Sequence, residues 1–427
     1  MNILMIFHLC PNPPPRDLGP AKRMFPFLVE VMKRHDVSVL SFGSAEEERR
    51  FREHFAGQCK RIEFVNNARP RYVNVFRRAY AILRGKGVFY TLHSHRMQRK
   101  IDEIVRSQNI DLIHCSTAML GFYRFPKGVP LVGDTHNVEY NVFFRSFLEA
   151  RGLLTKAVNF VEYALTKRAE VRNWSIFDTV IATTDRDGDI MKKDAAPGKI
   201  TVIQNGVDPA FLSTDDQPTE PKTLVFTGLM TYFPNDHGIL HFLDKIFPLV
   251  LEMEPQTRVS IVGKGPSRAL QARASAHVIV TGFVDDVRPY MARSELYIIP
   301  LLIGGGIRGK ALEAMAMRKP IVSTTVGCEG ILLRHGESAL IADDPRGFAD
   351  AILTLFKNRE LRDALKNNAY NTVIREYDWE QKGRQLEEVY QSLARRSRTQ
   401  NRTDDPLPGM SVNNHVPSTN AGALKHR

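Results

Sequence analysis

Short apolar segments alternate with longer amphipathic stretches along most of the chain. In the first half, "NILMIF", "DVSVLSF", "RIEFV", "DLIHCS", "PLVGDT" and "DTVIATT" have the length and composition of buried strands. Between them, apolar positions repeat at helical spacing near 21–34, 45–56, 72–84 and 96–108, and again over 154–174. This alternation predicts parallel α/β architecture.

The second half restarts the same pattern with "TLVFTG", "RVSIVG", "HVIVTGF", "ELYIIPL", "PIVST" and "ALIA". The polar, proline-containing stretch "STDDQPTEPK" separates the halves and is typical of a linker. At 427 residues the chain is too long for one ordinary core. We predict an α/β protein with two tandem Rossmann-like domains, 1–207 and 208–376, whose mostly parallel sheets face an interdomain cleft. A helix over 377–395 then packs back towards the first domain, and 396–427, with little apolar material, is a disordered tail.

The stretch "GGGIRGKALEAMA" follows the strand "ELYIIPL", so it lies at the carboxyl edge of a sheet, where ligands of such sheets bind. Gly304, Gly309 and Lys310 have the spacing of a P-loop. Position 311 is Ala, which lacks the hydroxyl that holds magnesium in a P-loop, and this disfavours hydrolysis of a nucleoside triphosphate.

Two interpretations of this loop remain open. In one, Gly304, Gly305 and Gly306 let the backbone approach a phosphate, while Arg308, Lys310 and a helix N-terminus supply positive charge. In the other, the stretch is a plain strand-to-helix turn with solvated cations.

The formal net charge of +12 is concentrated between residues 60 and 100, a stretch that contains eleven Lys or Arg and a single acidic residue, Glu63. Within "RYVNVFRRAYAILRGK", apolar positions share one helical face with arginines beside it. This pattern favours docking of residues 69–86 on an anionic membrane surface. A solvated basic face is the alternative, and nucleic acid is disfavoured because no nucleic-acid motif accompanies the charge.

The four cysteines lie far apart with no CxxC pair, which fits a reducing compartment better than a disulfide framework. The apolar run of "MNILMIFHLC" is far shorter than a membrane span and has no cleavage site, so it predicts a first strand. We therefore expect a cytoplasmic protein, peripheral on the inner face of the membrane.

The segment "DRDGD" contains two D-x-D pairs, which suggest a metal site. Its place between a strand and a helical stretch instead favours Asp185 as a helix N-cap, and we predict no metal site.

Several segments together resemble the glycosyltransferase family 4 enzymes with the two-domain GT-B fold, over about residues 1–395. They are "VIQNGVDPAFL", which is similar to the interdomain segment of the family, and "KALEAMAMRKPIVSTTVGCEGI", which is similar to its nucleotide-binding helix and next strand. Within the family, "FTGLMTYFPNDHGILHF", "LVGDTHNVEYN" and "PPPRDLGPAKR" most resemble bacterial sugar transferases associated with exosortase and exopolysaccharide loci.

The resemblance implies transfer of a sugar from a nucleoside diphosphate donor with retention of configuration, without metal or cofactor. Glu313 matches the second glutamate of the family motif E-x7-E and should bind the ribose, whereas Gly305 replaces the first glutamate. The usual arginine and lysine after the strand glycine are absent after Gly228. We infer that Arg308 and Lys310 bind the diphosphate instead.

In the first domain, the resemblance places His136 near the donor sugar and Glu139 within reach of acceptor or sugar; a histidine in a plain polar loop is the alternative. Gly19 resembles the glycine of the first loop, with Arg16, Lys22 and Arg23 adding charge; because prolines lie beside it, a plain loop is the alternative. The same resemblance assigns substrate binding to four further positions, Asn205, Gly228, Gly263 and Gly265. At Gly263 and Gly265, a plain turn is the alternative.

These observations predict a membrane-surface glycosyltransferase that acts on a saccharide or lipid-linked acceptor in bacterial exopolysaccharide or glycan synthesis. The alternatives are a GT-B-fold nucleotide-sugar epimerase and a non-catalytic protein that binds a nucleotide sugar.

Overall fold

A computed structural model describes residues 1–12, 19–66, 76, 80–81, 88–149, 152–208, 218–304 and 308–403. Two separate parallel sheets, one in each half of the chain, form its framework. Most of their strands are buried along nearly their whole length, which explains why they carry apolar runs rather than alternation. The prediction of two tandem α/β domains with parallel sheets is confirmed.

The first sheet has seven parallel strands in the order β3-β2-β1-β4-β5-β6-β7. They are β1 (Asn2–Phe7), β2 (Asp36–Phe42), β3 (Arg61–Val65), β4 (Leu112–Cys115), β5 (Leu131–Asp134), β6 (Thr179–Ala182) and β7 (Ile200–Val202). The helices around it are α1 (Gly19–Met32), α2 (Ala45–His54), α3 (His95–Ser107), α4 (Glu139–Glu149), α5 (Leu153–Ile176) and α6 (Asp185–Asp194), with 3-10 turns at Val88–Leu92 and Ala118–Phe122. The strand order reverses between β1 and β4, where such sheets bind ligands.

The second sheet has six parallel strands in the order β10-β9-β8-β11-β12-β13. They are β8 (Glu220–Thr227), β9 (Arg258–Val262), β10 (Val278–Gly282), β11 (Ser294–Ile299), β12 (Ile321–Ser323) and β13 (Leu340–Ile341). Its helices are α7 (Phe233–His241), continued by a π-helical turn at Phe242–Ile246, then α8 (Phe247–Met253), α9 (Arg268–Gln271), α10 (Arg288–Arg293), α11 (Gly309–Ala316), α12 (Pro345–Lys357) and α13 (Arg359–Glu376), with a 3-10 turn at Val326–Cys328. Here the order reverses between β8 and β11.

The last helix, α14 (Trp379–Thr403), returns to the first domain. Its Trp379 ring meets the edge of Phe27 at 5.3 Å between centroids, and the Tyr390 hydroxyl lies 2.5 Å from Nδ1 of His114. The predicted end of this helix at 395 is too early, because no proline or glycine interrupts 396–403. Residues 404–427 of the predicted tail lie outside the described residues.

Helix α4 was not predicted, because the segment after "GDTH" is rich in aromatic and β-branched residues of modest helix propensity. It is stabilised by packing against α5, where the ring centroids of Phe147 and Phe160 are 5.6 Å apart. The predicted helix at 72–84 lies almost entirely outside the described residues.

Candidate active site

The carboxyl ends of both sheets carry polar residues where the strand order reverses. In the first sheet, His8 follows β1 and Ser116 follows β4, while Gly228 follows β8 in the second sheet. The loop after β11 leads to Arg308 and the start of α11. These positions are next to the strand ends that bind ligands in open parallel sheets.

Ser116 orients two histidines at the edge of the first sheet. Its Oγ accepts a hydrogen bond from the backbone N–H of His8 at 3.0 Å and lies 2.8 Å from His8 Nδ1. Its carbonyl lies 2.9 Å from Nε2 of His136. A hydroxyl that donates to Nδ1 leaves the proton of His8 on Nε2, whereas His136 donates through Nε2 and keeps Nδ1 as an acceptor.

Both imidazoles are neutral near pH 7. Burial lowers the pKa of His8 to about 4. Burial and the adjacent His8 and Arg23 hold the pKa of His136 well below its ordinary value. The ring centroids are 5.6 Å apart, and when the Ser116 hydroxyl donates to His8, the pair presents one donor and one acceptor, a combination suited to hydroxyl groups. His8 was not predicted, because nothing in its local sequence distinguishes it.

Glu139 is the first residue of α4 and is half-buried. Burial, with a smaller contribution from the Asp187 carboxylate, raises the pKa of Glu139 to about 7. Its backbone N–H and that of Tyr140 donate to the buried carboxylate of Glu170 at 3.2 and 3.1 Å, which satisfies two amides of the helix N-terminus. A carboxyl with a pKa near 7 can both take and release a proton at neutral pH.

Lys310 is the second residue of α11, and its side chain reaches the carboxyl end of β8. Its Nζ donates to Oδ1 of Asn235 at 2.7 Å and stands 4.1 Å from the centroid of the Phe226 ring. A Cβ on Gly228 would lie 2.9 Å from this Nζ, so a larger residue there would displace the ammonium. The structure thus places a cation beside the strand glycine, where the sequence lacks the usual pair.

Gly263 and Gly265 pack the next loop against the loop after β8. Gly263 has φ 147°, and a Cβ on it would lie 1.8 Å from the carbonyl oxygen of Gly228. Gly265 has φ 73°, and a Cβ there would lie 2.4 Å from Cγ2 of Thr231. These two glycines have a packing role that sets the position of Gly228; their contact with a substrate stays a prediction.

Arg308 immediately precedes α11, and its side chain is almost fully buried. Its Nε donates to the carbonyl of Val326 at 3.3 Å, and burial lowers the pKa of the guanidinium from its ordinary value. Gly304 has φ 155°, and a Cβ on it would lie 2.6 Å from Nη2 of Arg308. Gly305 and Gly306 lie outside the described residues.

Glu313 is half-buried on α11, three residues after Lys310 and therefore on the same face of the helix. Its carboxylate contributes, after burial, to the raised pKa of Tyr297. Gly19 is the first residue of α1. Their predicted contacts with ribose and phosphate stay predictions.

Asn205 accepts a hydrogen bond from Arg23 of α1 in the first domain. Nη1 of Arg23 donates to its Oδ1 at 2.7 Å, while Nε of Arg23 donates to Oδ1 of Asp134 at 3.0 Å. Arg23 and Asp134 are fully buried, so Arg23 is a structural ion pair and not the free loop charge that was predicted. Asn205 keeps its amide nitrogen for other partners, and its predicted substrate contact stays a prediction.

Side chains from both domains meet at Glu329, which follows the 3-10 turn after β12. Arg145 of α4 lies 3.6 Å from its carboxylate and also donates to the carbonyl of Gly304. Arg186 of α6 forms an ion pair with the same carboxylate, and Arg308 lies 3.8 Å from it. This cluster shows that the loops after β5 and β11 face each other across the cleft. Arg308 lies in the predicted glycine-rich loop, whereas Arg145, Arg186 and Glu329 were not predicted as site residues, because their contacts join distant parts of the chain.

The "DRDGD" segment forms the first turn of α6. Its N-cap is Thr184, whose hydroxyl accepts from the backbone N–H of Asp187 at 3.0 Å, so the predicted cap at Asp185 is wrong by one residue. In the part of the chain that the structure describes, no three His, Cys, Asp or Glu side chains are grouped as a metal would require. Nor does any described helix combine the length and apolarity needed to cross a bilayer.

Both halves of the chain match known protein families. Residues 27–211 match the family "Glycosyltransferase Family 4", and residues 221–358 match "Glycosyl transferases group 1".

Among curated proteins, one relative is an uncharacterized 44.6 kDa protein in the cps region of Klebsiella pneumoniae, 28% identical over 36% of this chain and 42% of its own. A phosphatidyl-myo-inositol mannosyltransferase of Mycobacterium leprae is 30% identical over 45% of this chain and 53% of its own. The chain thus spans about half the length of these relatives. The lipopolysaccharide core biosynthesis mannosyltransferase LpsB of Rhizobium meliloti is 26% identical over 67% of this chain and 84% of its own.

Solved structures establish the fold. The structure of Anabaena Alr3699/HepE in complex with UDP-glucose matches over 92% of this chain and 100% of its own chain, with a TM-score of 0.66 and 16% sequence identity. The structure of WaaG, a glycosyltransferase involved in lipopolysaccharide biosynthesis, matches over 91% of this chain and 99% of its own chain, with a TM-score of 0.62 and 14% sequence identity. The arrangement of the two domains is the GT-B fold.

Proposed function

We propose that this chain, which has the GT-B fold and matches a family 4 glycosyltransferase model followed by a group 1 model, transfers a sugar with retention of configuration from a nucleoside-diphosphate-sugar to a saccharide or lipid-linked acceptor. The observation that carries the proposal is the position of Lys310 beside Gly228, at the carboxyl end of the strand where the second sheet reverses.

The departing diphosphate gains negative charge as the bond between the sugar and its β-phosphate breaks. Lys310, Arg308 and the backbone N–H groups at the start of α11 are held in place before the reaction, so they stabilise that charge at little reorganisation cost. The acceptor oxygen forms the new bond on the face that the diphosphate leaves. Its proton passes to a diphosphate oxygen, so no metal and no protein base is required.

The sugar lies between the two sheets in this scheme. Nδ1 of His136 accepts a hydrogen bond from one sugar hydroxyl, and the Nε2–H of His8 donates to another oxygen of the sugar or acceptor. Glu139, three residues after His136 at the start of α4, contacts acceptor or sugar. Glu313 holds the ribose.

The relatives guide the choice of substrates. A solved structure of HepE contains UDP-glucose, so UDP-sugars are the first donors to test, and mannose is the second sugar because several relatives are mannosyltransferases. Phosphatidyl-myo-inositol and lipopolysaccharide core in the names of relatives support a lipid-linked acceptor. The Klebsiella cps-region relative is consistent with a role in exopolysaccharide or other glycan synthesis.

A lipid-linked acceptor requires the cleft to lie close to a membrane. The proposed location is therefore the inner face of the cytoplasmic membrane, with the basic segment 69–86 as one contact. Most of this segment lies outside the described residues, but Phe76 and Tyr80 within it are exposed. Substitution of Arg77 and Arg78 by Glu should weaken binding to anionic vesicles.

A test of the reaction measures release of nucleoside diphosphate from a UDP-sugar, with and without a bacterial lipid extract as acceptor. We expect release to need the extract, to persist in EDTA, and to fall by about 10²- to 10³-fold in Lys310→Ala. The exposed Lys245→Ala is the matched control and should retain full activity. Equal release by the two variants would contradict the assigned site, and loss of release in EDTA would contradict the metal-independent mechanism.

A nucleotide-sugar epimerase is the second candidate, because Glu139 has a pKa near 7 at the edge that also carries two neutral histidines. An epimerase needs such acid and base groups, and it converts its substrate without any acceptor. Proton NMR of a UDP-sugar incubated with the protein alone distinguishes the two reactions. A second sugar appearing without an acceptor favours the epimerase.

A further inference from the structure

The hairpin of α4 and α5 exposes a concentrated group of apolar side chains. Leu153 and Leu154 are 89% and 81% exposed, and Leu148 and Val158 are 58% and 52% exposed. Single exposed apolar residues are ordinary on protein surfaces, but a contiguous group on one projecting element marks an interaction surface. Val161 and Ile176 extend this exposure along α5.

This surface is held on a rigid support. Across the two helices, the half-exposed ring of Phe160 lies 5.6 Å from Phe147 and 6.1 Å from Tyr163, and the partly exposed Phe144 lies 5.2 Å from Tyr163, between centroids. Tyr163 also meets the largely buried Tyr140 at 6.2 Å. The leucines therefore project from two packed helices, and their exposure is a fixed property of the folded hairpin.

The charges of α5 are divided between its two faces. Its only two carboxylates, Glu162 and Glu170, are 2% and 1% exposed, while Arg168 and Arg172 are exposed. The outward face of this described helix thus carries positive charge and no negative charge. Beside it, Arg168 and Arg172 line a cavity of about 430 Å³, whose other walls include the ring of Tyr90.

The surface lies next to the cleft. Arg145, three residues before Leu148 on α4, reaches across to the carbonyl of Gly304 and to Glu329. At a rise of about 1.5 Å per residue, Leu148 lies about one helical turn along α4 from Arg145. A surface that rests on the hairpin is therefore close to the mouth of the cleft.

We propose that the outward face of α5, with Leu148, Leu153, Leu154 and Val158 at its apolar end and Arg168 and Arg172 at its basic end, docks on an anionic lipid bilayer. The helix lies in the plane of the interface, with its aliphatic side chains among the upper acyl chains and its arginines among the headgroups. The proposal depends on the proposed function for its purpose, which is to bring the cleft to a lipid-linked acceptor, but its test requires no turnover.

A second copy of the chain is the competing occupant of this face. Charge favours the bilayer: two copies that meet through α5 bring arginines together with no exposed carboxylate on the helix to pair with them, whereas anionic lipid neutralises them. The same charge predicts that binding to neutral vesicles is weaker and that added salt weakens binding to anionic vesicles.

The test is co-sedimentation of the full chain with vesicles of phosphatidylcholine and phosphatidylglycerol in equal parts, and with vesicles of phosphatidylcholine alone. We expect the double variant Leu153→Glu, Leu154→Glu to lower partitioning to the mixed vesicles by at least about tenfold. The variant Arg168→Gln, Arg172→Gln should lower it by about thirtyfold at low salt, since each basic residue near an anionic surface contributes about fivefold. Met253→Glu, which changes an exposed apolar residue of the second domain, should leave partitioning unchanged.

Three results would overturn the proposal. Unchanged partitioning of both α5 variants would assign docking elsewhere, and loss of binding in Arg77→Glu, Arg78→Glu alone would assign it to the segment 69–86. Light scattering that shows a dimer, broken by the leucine variant, would assign the face to a second copy. Each variant is also tested for stabilisation by nucleoside diphosphates, so that failure of the docking surface is distinguishable from failure of the donor site.

Discussion

Gly263→Ala should disturb the donor site through the backbone. The new Cβ would lie 1.8 Å from the carbonyl oxygen of Gly228. In addition, a φ of 147° is a backbone conformation that residues other than glycine rarely adopt. The strained φ costs about 1–3 kcal/mol, and separating the two segments costs about 1–3 kcal/mol more. We expect a total of about 4 kcal/mol, together with displacement of Gly228.

Gly282→Ala is the matched control, because Gly282 also has positive φ, 69°, but a Cβ there meets no atom within 4 Å. It carries the cost of backbone strain alone, about 1–2 kcal/mol. Denaturant titration followed by circular dichroism gives the stability of each variant, and calorimetric titration with UDP gives the donor affinity. We expect Gly263→Ala to lose at least about tenfold in affinity, since one tenfold step needs about 1.4 kcal/mol. Equal loss of stability and affinity in the two variants would refute the close approach of Gly263 to Gly228.

Three further predictions concern the first domain. Asp134→Ala leaves the buried guanidinium of Arg23 without its carboxylate and should lower the free energy of unfolding by about 3–5 kcal/mol in denaturant titrations, whereas the exposed Asp36→Ala should change it by less than about 0.5 kcal/mol. His8→Phe should lower kcat/KM for sugar transfer by about tenfold to a hundredfold; the pH profile of the native enzyme should show no inflection from His8 between pH 6 and 8, because its pKa is about 4. Glu139 has a pKa of about 7 in the folded state against an ordinary value of 4.5, so its contribution to stability is present below pH 4.5 and lost as the pH rises through 7. Glu139→Gln should therefore remove this loss, which melting temperatures measured from pH 4 to 8 will show.

Each of these has a contradicting result. An Asp134→Ala variant as stable as Asp36→Ala would mean that the Arg23 ion pair contributes nothing. An inflection between pH 6 and 8 that disappears in His8→Phe would mean that this imidazole titrates there. If native protein and Glu139→Gln lose stability in parallel between pH 4.5 and 7, the carboxyl does not have a raised pKa.

The sheets were predictable because most of their strands are buried on both faces and therefore have continuous apolar runs such as "NILMIF". Helix α4 was not, because its stability comes from rings on α5 and not from its own sequence. Helix α14 was predicted over 377–395, whereas it spans Trp379–Thr403. The prediction ended too early, since the last turns of the helix are polar and resemble a disordered tail.

Part of the candidate site was likewise predictable from the sequence and part was not. Lys310 and Arg308 were predicted as site residues because glycines and cations lie together in one short segment. His8, Arg145, Arg186 and Glu329 were missed, because each is an ordinary residue in its local sequence and only the fold brings it to the cleft. Where partners are far apart in the chain, no local spacing records their contact.

The most direct test of the central claim is a thermal-shift titration of the purified chain with UDP, GDP, ADP and CMP and their common sugar conjugates, repeated with Lys310→Ala and Glu313→Ala. A ligand that binds only the folded state raises the melting temperature by mass action. We predict that one nucleoside diphosphate and its sugar conjugate selectively stabilise the native chain and that either substitution abolishes the effect. Folded protein that no nucleotide stabilises, or stabilisation that survives both substitutions, would contradict a donor site at Gly228 and Lys310.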